Sequence, residues 1–148
     1  MLLQRLHRLL SGDAAALPAD AADAAALAEA VLLLEMAWAD DDLAAPERRA
    51  VREALARRHG LAPADVDALL AAAENARRES HDHFAFTRLL CERLDRPARL
   101  AVLRELWRVV YADGVLAVAE DALIHKFARL LEIPHRDLIA LKLSVRDD

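Results

Sequence analysis

Between Ala24 and Ala39 the chain reads AAALAEAVLLLEMAWA, sixteen residues of which only Glu29 and Glu35 are charged. Alanine and leucine favour helix, and a helix that is apolar on every side has no face to offer to water. Such a segment either crosses a membrane or forms the central rod of a bundle. Sixteen residues carrying two carboxylates fall short of the roughly 20 apolar residues that a bilayer requires. The rest of the chain must therefore supply helices that surround this one.

It offers several. Leu2, Leu3, Leu6, Leu9 and Leu10 follow helical spacing and end at Ser11-Gly12, which predicts a short amphipathic helix over residues 1–12. That helix either packs back on the bundle or makes a peripheral membrane contact through residues 2–10. After a linker over 13–19 comes the central helix. A third helix runs from near Pro46 to Gly60, with Val51, Ala54 and Leu55 on one side. Its other side carries Arg48, Arg49, Arg52, Glu53, Arg57 and Arg58.

Pro63 opens a fourth helix that fades in the polar run Glu74 to Ser80, and a fifth spans about Asp82 to Leu94. Asp95 is placed to cap a sixth, with Pro97 in its first turn and Leu100, Leu103, Leu106, Trp107 and Val110 along it. Two more are expected, from about Ala119 to Leu131 and from Pro134 to Leu143. Sustained strand alternation is missing, and there are three glycines in 148 residues. The expected fold is all-α, a single-domain bundle of about seven to eight helices.

The chain also repeats itself. Trp38 to Glu47 reads WADDDLAAPE, and seventy-three residues later Tyr111 to Glu120 reads YADGVLAVAE. Aligning Leu34–Leu55 with Trp107–Ala128 gives five identities in twenty-two positions: Ala39/Ala112, Asp40/Asp113, Leu43/Leu116, Ala44/Ala117 and Glu47/Glu120. The pattern predicts two related helix-loop-helix halves, about 25–70 and 98–143, within one domain over 20–145.

In each copy an aspartate ends one helix and a glutamate falls near the third position of the next. Asp40 and Asp113 stand where the helix macrodipole is negative, so something must compensate them. A glutamate at the third position usually completes a capping box with a serine or threonine cap, but here the cap positions are Ala44 and Ala117. One reading makes the preceding aspartate the missing acceptor, so that the acids serve as helix caps of a purely structural corner. The other compensates them with a cation. Asp40, Asp42 and Glu47, together with Asp113, Glu120 and Asp121, supply hard oxygen ligands for Ca²⁺ or Mg²⁺ if the two loops approach. The spacing is too short for an EF-hand.

The segments LLLEMAWADDDLAAPERRAVREAL and LWRVVYADGVLAVAEDALIHKFARLLEI resemble the repeated ADG-x-L-x-x-x-E segments of the tellurite-resistance TerB-like family, over roughly residues 25 to 145. The resemblance implies an all-α, non-enzymatic, metal-binding module of tellurite resistance or stress response, acting in assemblies at the inner face of the bacterial membrane. A similar domain precedes the J-domain in some membrane-associated co-chaperones. The family's acidic positions carry over onto Asp40, Glu47, Asp113 and Glu120. Two features depart from its pattern: Asp41-Asp42 replaces the glycine-containing turn of the first copy, and the polar residue often found before the glutamate is alanine in both.

A net charge of -5 with basic residues interleaved among acids argues against a nucleic-acid partner. The single cysteine, Cys91, allows no internal disulfide, and the N-terminus MLLQRLHRLLSGD has no signal-peptide pattern, so a cytoplasmic location is expected. With three serines, one threonine and no phosphate loop or zinc-protease helix, catalysis is not expected. His81-Asp82-His83 places its imidazoles on alternate positions and reads as a connector. Arg48, Arg49 and Arg52 begin a basic stripe beside the first acidic loop, suited to an acidic protein partner or anionic lipid.

Overall fold

In the computed structural model, which describes residues 21–39, 45–80, 82, 84–114 and 116–147, the apolar run becomes α1 (Ala21–Ala37). Six α-helices follow among the described residues: α2 (Ala45–His59), α3 (Pro63–Glu79), α4 (Ala85–Arg93), α5 (Arg96–Val110), α6 (Val118–Leu130) and α7 (His135–Arg146). One turn of 3-10 helix (Tyr111–Asp113) joins α5 to α6, and no described residue is in a strand. From Ala24 to Ala37 every side chain of α1 is buried except Glu35. Helices α2 through α6 all pack against it, so its apolar surface is removed from water on all sides. The helix expected over residues 1–12 lies outside the described residues.

The two halves are α1–α2–α3 and α5–α6–α7, with α4 between them. Helices α1 and α5 end at Ala37 and Val110, and α2 and α6 begin at Ala45 and Val118, each pair seventy-three residues apart. Helix α5 repeats the role of α1 by packing on α1, α2, α6 and α7. Its Trp107 is fully buried and donates its indole N–H to the Leu138 carbonyl at 3.2 Å, which ties α5 to α7 without leaving a polar atom unmet.

Caps explain the boundaries. The Asp95 side chain accepts from the Ala98 N–H at 3.0 Å and opens α5 as its sequence predicts. Helix α4 starts at Ala85 rather than Asp82 because the Asp82 carboxylate accepts from the Phe84 N–H at 2.9 Å, closing a turn before the helix. Helix α7 continues past Leu143 because Val145 is still buried.

Helices α2 and α6 end alike. Gly60 and Glu132 both adopt left-handed φ angles of 61°. The following N–H groups of Leu61 and Ile133 reach back to the carbonyls of Ala56 and Ala128 at 3.2 and 2.9 Å. Leu61 and Ile133 then tuck into the core, which completes a Schellman stop in each half. Glycine adopts this conformation freely, whereas Glu132 holds it against its own Cβ.

Substituting Glu132→Gly should therefore raise stability by about 0.5–1 kcal/mol, the left-handed strain relieved less the added freedom of the unfolded chain. Gly60→Ala should lower it by about 1 kcal/mol through strain alone, since a Cβ there meets nothing within 4 Å. Urea-denaturation midpoints of the two variants check both signs.

Candidate functional site

The second corner is described nearly throughout. Helix α5 passes into the Tyr111–Asp113 turn, and Gly114, left-handed at φ 78°, donates its N–H to the Tyr111 carbonyl at 3.0 Å and halts it. Ala117 is extended and begins α6, with Glu120 at the third helical position. Glu120 Oε1 accepts from the Ala117 N–H at 3.3 Å, which is one half of a capping box. Alanine has no oxygen to return the other half. The box is incomplete in the direction the sequence indicates.

At the first corner, α2 begins at Ala45 and Glu47 occupies the equivalent place. Both glutamates are 1 % exposed, and the Oε2 atom of each is out of solvent. A carboxylate in that position suits the positive end of the helix dipole, which offsets part of the cost of burying it. Helix α2 packs against the Tyr111–Asp113 turn. Pro46 and Ala50 share a surface depression there with Ala112.

The remaining candidate ligands divide. Asp40 and Asp42 lie outside the described residues, and of Asp113 only the backbone is described. Asp121 is partly exposed, with Oδ1 3.6 Å from Nδ1 of His125, and that same nitrogen donates to the Asp121 carbonyl at 2.7 Å. Among the described residues no three carboxylates, imidazoles or thiols are grouped so as to hold one ion. A cation site here therefore needs Asp40, Asp42 and the Asp113 side chain in addition to the buried glutamates. The donor chemistry, all oxygen, fits Ca²⁺ or Mg²⁺ rather than a softer metal.

What fixes α2 against the corners is a pair of buried carboxylates. Glu29 of α1 is 2 % exposed and accepts from Arg58 Nη2 at 2.8 Å and pairs with His59 Nε2 at 3.0 Å. Glu105 of α5 accepts from Arg57 Nη2 at 2.6 Å and from Arg108 Nη1 at 2.8 Å. Consecutive residues 57, 58 and 59 thus bolt the end of α2 to the central helices of both halves. Burial pushes the Glu29 carboxyl upward, but hydrogen bonds from His59 and Arg58 outweigh it and hold the group below the ordinary 4.5. The hydrogen bond to Glu105 raises Arg57 above its already high value.

Arg58 therefore leaves the solvated stripe in which its sequence spacing places it, while Arg57 stays half exposed and reaches Glu105 from the surface. A signal for this was present: a glutamate inside an otherwise apolar helix must find a cation that follows it into the core. Arg52 forms an ion pair with Asp67 of α3, while Arg48 and Arg49 are exposed on the first turns of α2. The structure also brings His125 and His135 together, ring centroids 5.3 Å apart, although they are distant in any helical pattern. His81 and His83 lie outside the described residues.

Fold and site define a class: an all-α repeat domain in which each half carries a buried glutamate in the first turn of its second helix. The family profile of the tellurite resistance protein TerB matches residues 26–143, most of the chain and both halves, and the chain belongs to that family. Comparison with curated proteins and with solved structures gave no match.

Glu29→Gln should cost on the order of 2–3 kcal/mol, less than the ~3–5 of a fully buried pair because the Arg58 and His59 side chains keep 23 % and 19 % exposure. The pH dependence has a definite sign. With its folded pKa depressed, Glu29 contributes its full stability above the ordinary glutamate value and loses it as pH falls from there through the lower folded value. Thermal midpoints measured from neutral pH down to acid should fall less steeply in Glu29→Gln than in the parent.

Proposed function

We propose that this chain is a non-enzymatic binding module of a tellurite-resistance or stress-response system, whose paired acidic corners take up a hard divalent cation, Ca²⁺ or Mg²⁺, and engage a protein partner. The observation that supports this is the packing of α2 on the Tyr111–Asp113 turn, with Pro46 and Ala50 of its first turns sharing a surface depression with Ala112. Each corner rests on a buried glutamate, Glu47 or Glu120. Asp40, Asp42 and Asp113, with those glutamates, are the residues that would hold the ion. Its charge would offset acids placed at the unfavourable ends of α1 and α5. Exposed Arg48 and Arg49 stand beside the first corner as the contact for an acidic partner.

A second reading has its own observation. The bond from the Ala117 N–H to Glu120 supports a reading in which the buried glutamates serve their corners as caps, and a purely structural corner needs no ion. The interaction surface then works through shape and charge alone.

Calorimetric titration of chelator-treated protein with Ca²⁺, Mg²⁺ and Zn²⁺ separates the two. The cation reading expects saturable heat for Ca²⁺ or Mg²⁺, lost in Asp113→Ala, and a higher thermal midpoint with the ion present. If no ion gives saturable heat while Asp113→Ala loses about 1 kcal/mol in metal-free buffer, as loss of a helix cap would, the corners are structural.

A further inference from the structure

A cavity of about 90 Å³ opens where α1, α3, α4 and α6 meet. Its apolar lining is Val31 and Leu32 of α1, Phe86 of α4, and Leu123 and Phe127 of α6. The polar lining comes from Arg77 of α3 and Lys126 of α6, together with Glu35, Ser80 and Asp82.

Among the described residues the polar side sets three cations, Arg77, Lys126 and Arg88, against two carboxylates, Glu35 and Asp82. Asp82 is engaged: one of its oxygens takes Arg88 Nη2 at 2.5 Å and the other the Phe84 N–H at 2.9 Å. Glu35 is 41 % exposed, and its Oε1 lies 3.7 Å from Arg77 Nε, beyond hydrogen-bond reach. Arg77 Nε is out of solvent and, among the described residues, has no hydrogen-bond acceptor. The Arg77 guanidinium is held over the Trp38 ring at 5.8 Å, and Lys126 Nζ over the Phe84 ring at 5.6 Å. Among the described residues Lys126 has no carboxylate within ion-pair distance.

Arg77 keeps 23 % exposure and its charge is offset by Glu35, but an N–H out of solvent without a hydrogen-bond acceptor is costly, and here it stands with a second cation over a small apolar hollow. We infer that this cavity binds a carboxylate carried on a short aliphatic chain, the tail against Leu32, Leu123 and Phe127 and the carboxylate on Arg77 and Lys126. At about 90 Å³ the hollow is far smaller than the roughly 300–1,000 Å³ of a drug-sized site, which suits a short aliphatic chain. Glu35 beside Arg77 disfavours a dianion such as phosphate, so the site selects single negative charge. The ligand chemistry is shared by a free short-chain carboxylic acid and by the C-terminal aliphatic residue of a peptide.

The test is an NMR titration of the full chain that follows the Arg77 Nε–H and the backbone amides of Leu123 and Phe127. The probes are butyrate, butanol, butylamine, phosphate, and a short peptide ending in valine with a free or an amidated C-terminus. Saturable shifts are expected for butyrate or for the free-acid peptide, and whichever binds more tightly identifies the source. Butanol, butylamine, phosphate and the amidated peptide should bind at least about tenfold more weakly, since each lacks the singly charged carboxylate. Arg77→Gln and Lys126→Gln should each weaken binding, Arg77→Gln by about tenfold, with thermal midpoints confirming the fold; if Arg77→Gln does not fold, Lys126→Gln carries the test. Absence of saturable shifts with both carboxylates, an equal response to butanol, or binding unchanged in the folded variants overturns the assignment.

Discussion

Helix α1 has no side to turn toward water, and this constraint propagates through the structure. To bury it, the chain wraps α2 to α6 around it, and while Glu35 stays partly exposed, a second carboxylate is carried into the core. Glu29 is that group. Its burial requires a counter-charge, and Arg58 at the end of α2 supplies it, with His59 hydrogen-bonded beside it. Arg57 then meets Glu105 on α5, so one short stretch of α2 is pinned to the central helices of both halves. The far end of α2, which carries Glu47, is placed by this clamp against the turn of the second corner.

Much of this could be read from residues. The all-round apolar run, the proline and glycine boundaries, the Asp95 cap and the spacing of the two acidic stretches correspond to described elements to within a few positions. Each is a local rule with a short-range cause. The contacts that were not legible are long-range and polar: Glu29 with Arg58, Glu105 with Arg57, His125 with His135. Periodicity assigns a face to a side chain, but a long arginine near a helix end can reach around that face when a buried carboxylate attracts it. Within the candidate site the equivalence of Glu47 and Glu120 was legible from the repeat, whereas their near-complete burial was not, because glutamate at a helix start is ordinarily a surface residue.

The two corners share an acid at the helix start and differ in the turn that precedes it. Gly114 takes a left-handed conformation and lets the second corner close tightly after Asp113. The first copy has aspartates where glycine would stand, which adds acceptors and negative charge at the end of a helix already unfavourable to both. The Schellman stops show the opposite arrangement, glycine in the first half and glutamate in the second. At these stops the left-handed strain falls on Glu132 of the second half, while Gly60 of the first takes the same conformation freely.

Repetition also bears on where a binding site can arise. A feature encoded inside the repeated unit appears twice, as the glutamate corners do, and its two copies are recognisable in sequence by comparison with each other. The cavity between α1, α3, α4 and α6 has no such twin, because α4 belongs to neither half and joins the end of α3 to the start of α5. Its floor and mouth combine residues from both halves with Phe86 of the connecting helix. Arg77 comes from the last turns of α3, beyond the best-matched part of the repeat, and Lys126 from the middle of α6. Only the packing of the halves around α1 sets those two cations beside one hollow, so the same burial that fixes the symmetric corners also creates a cavity outside their symmetry.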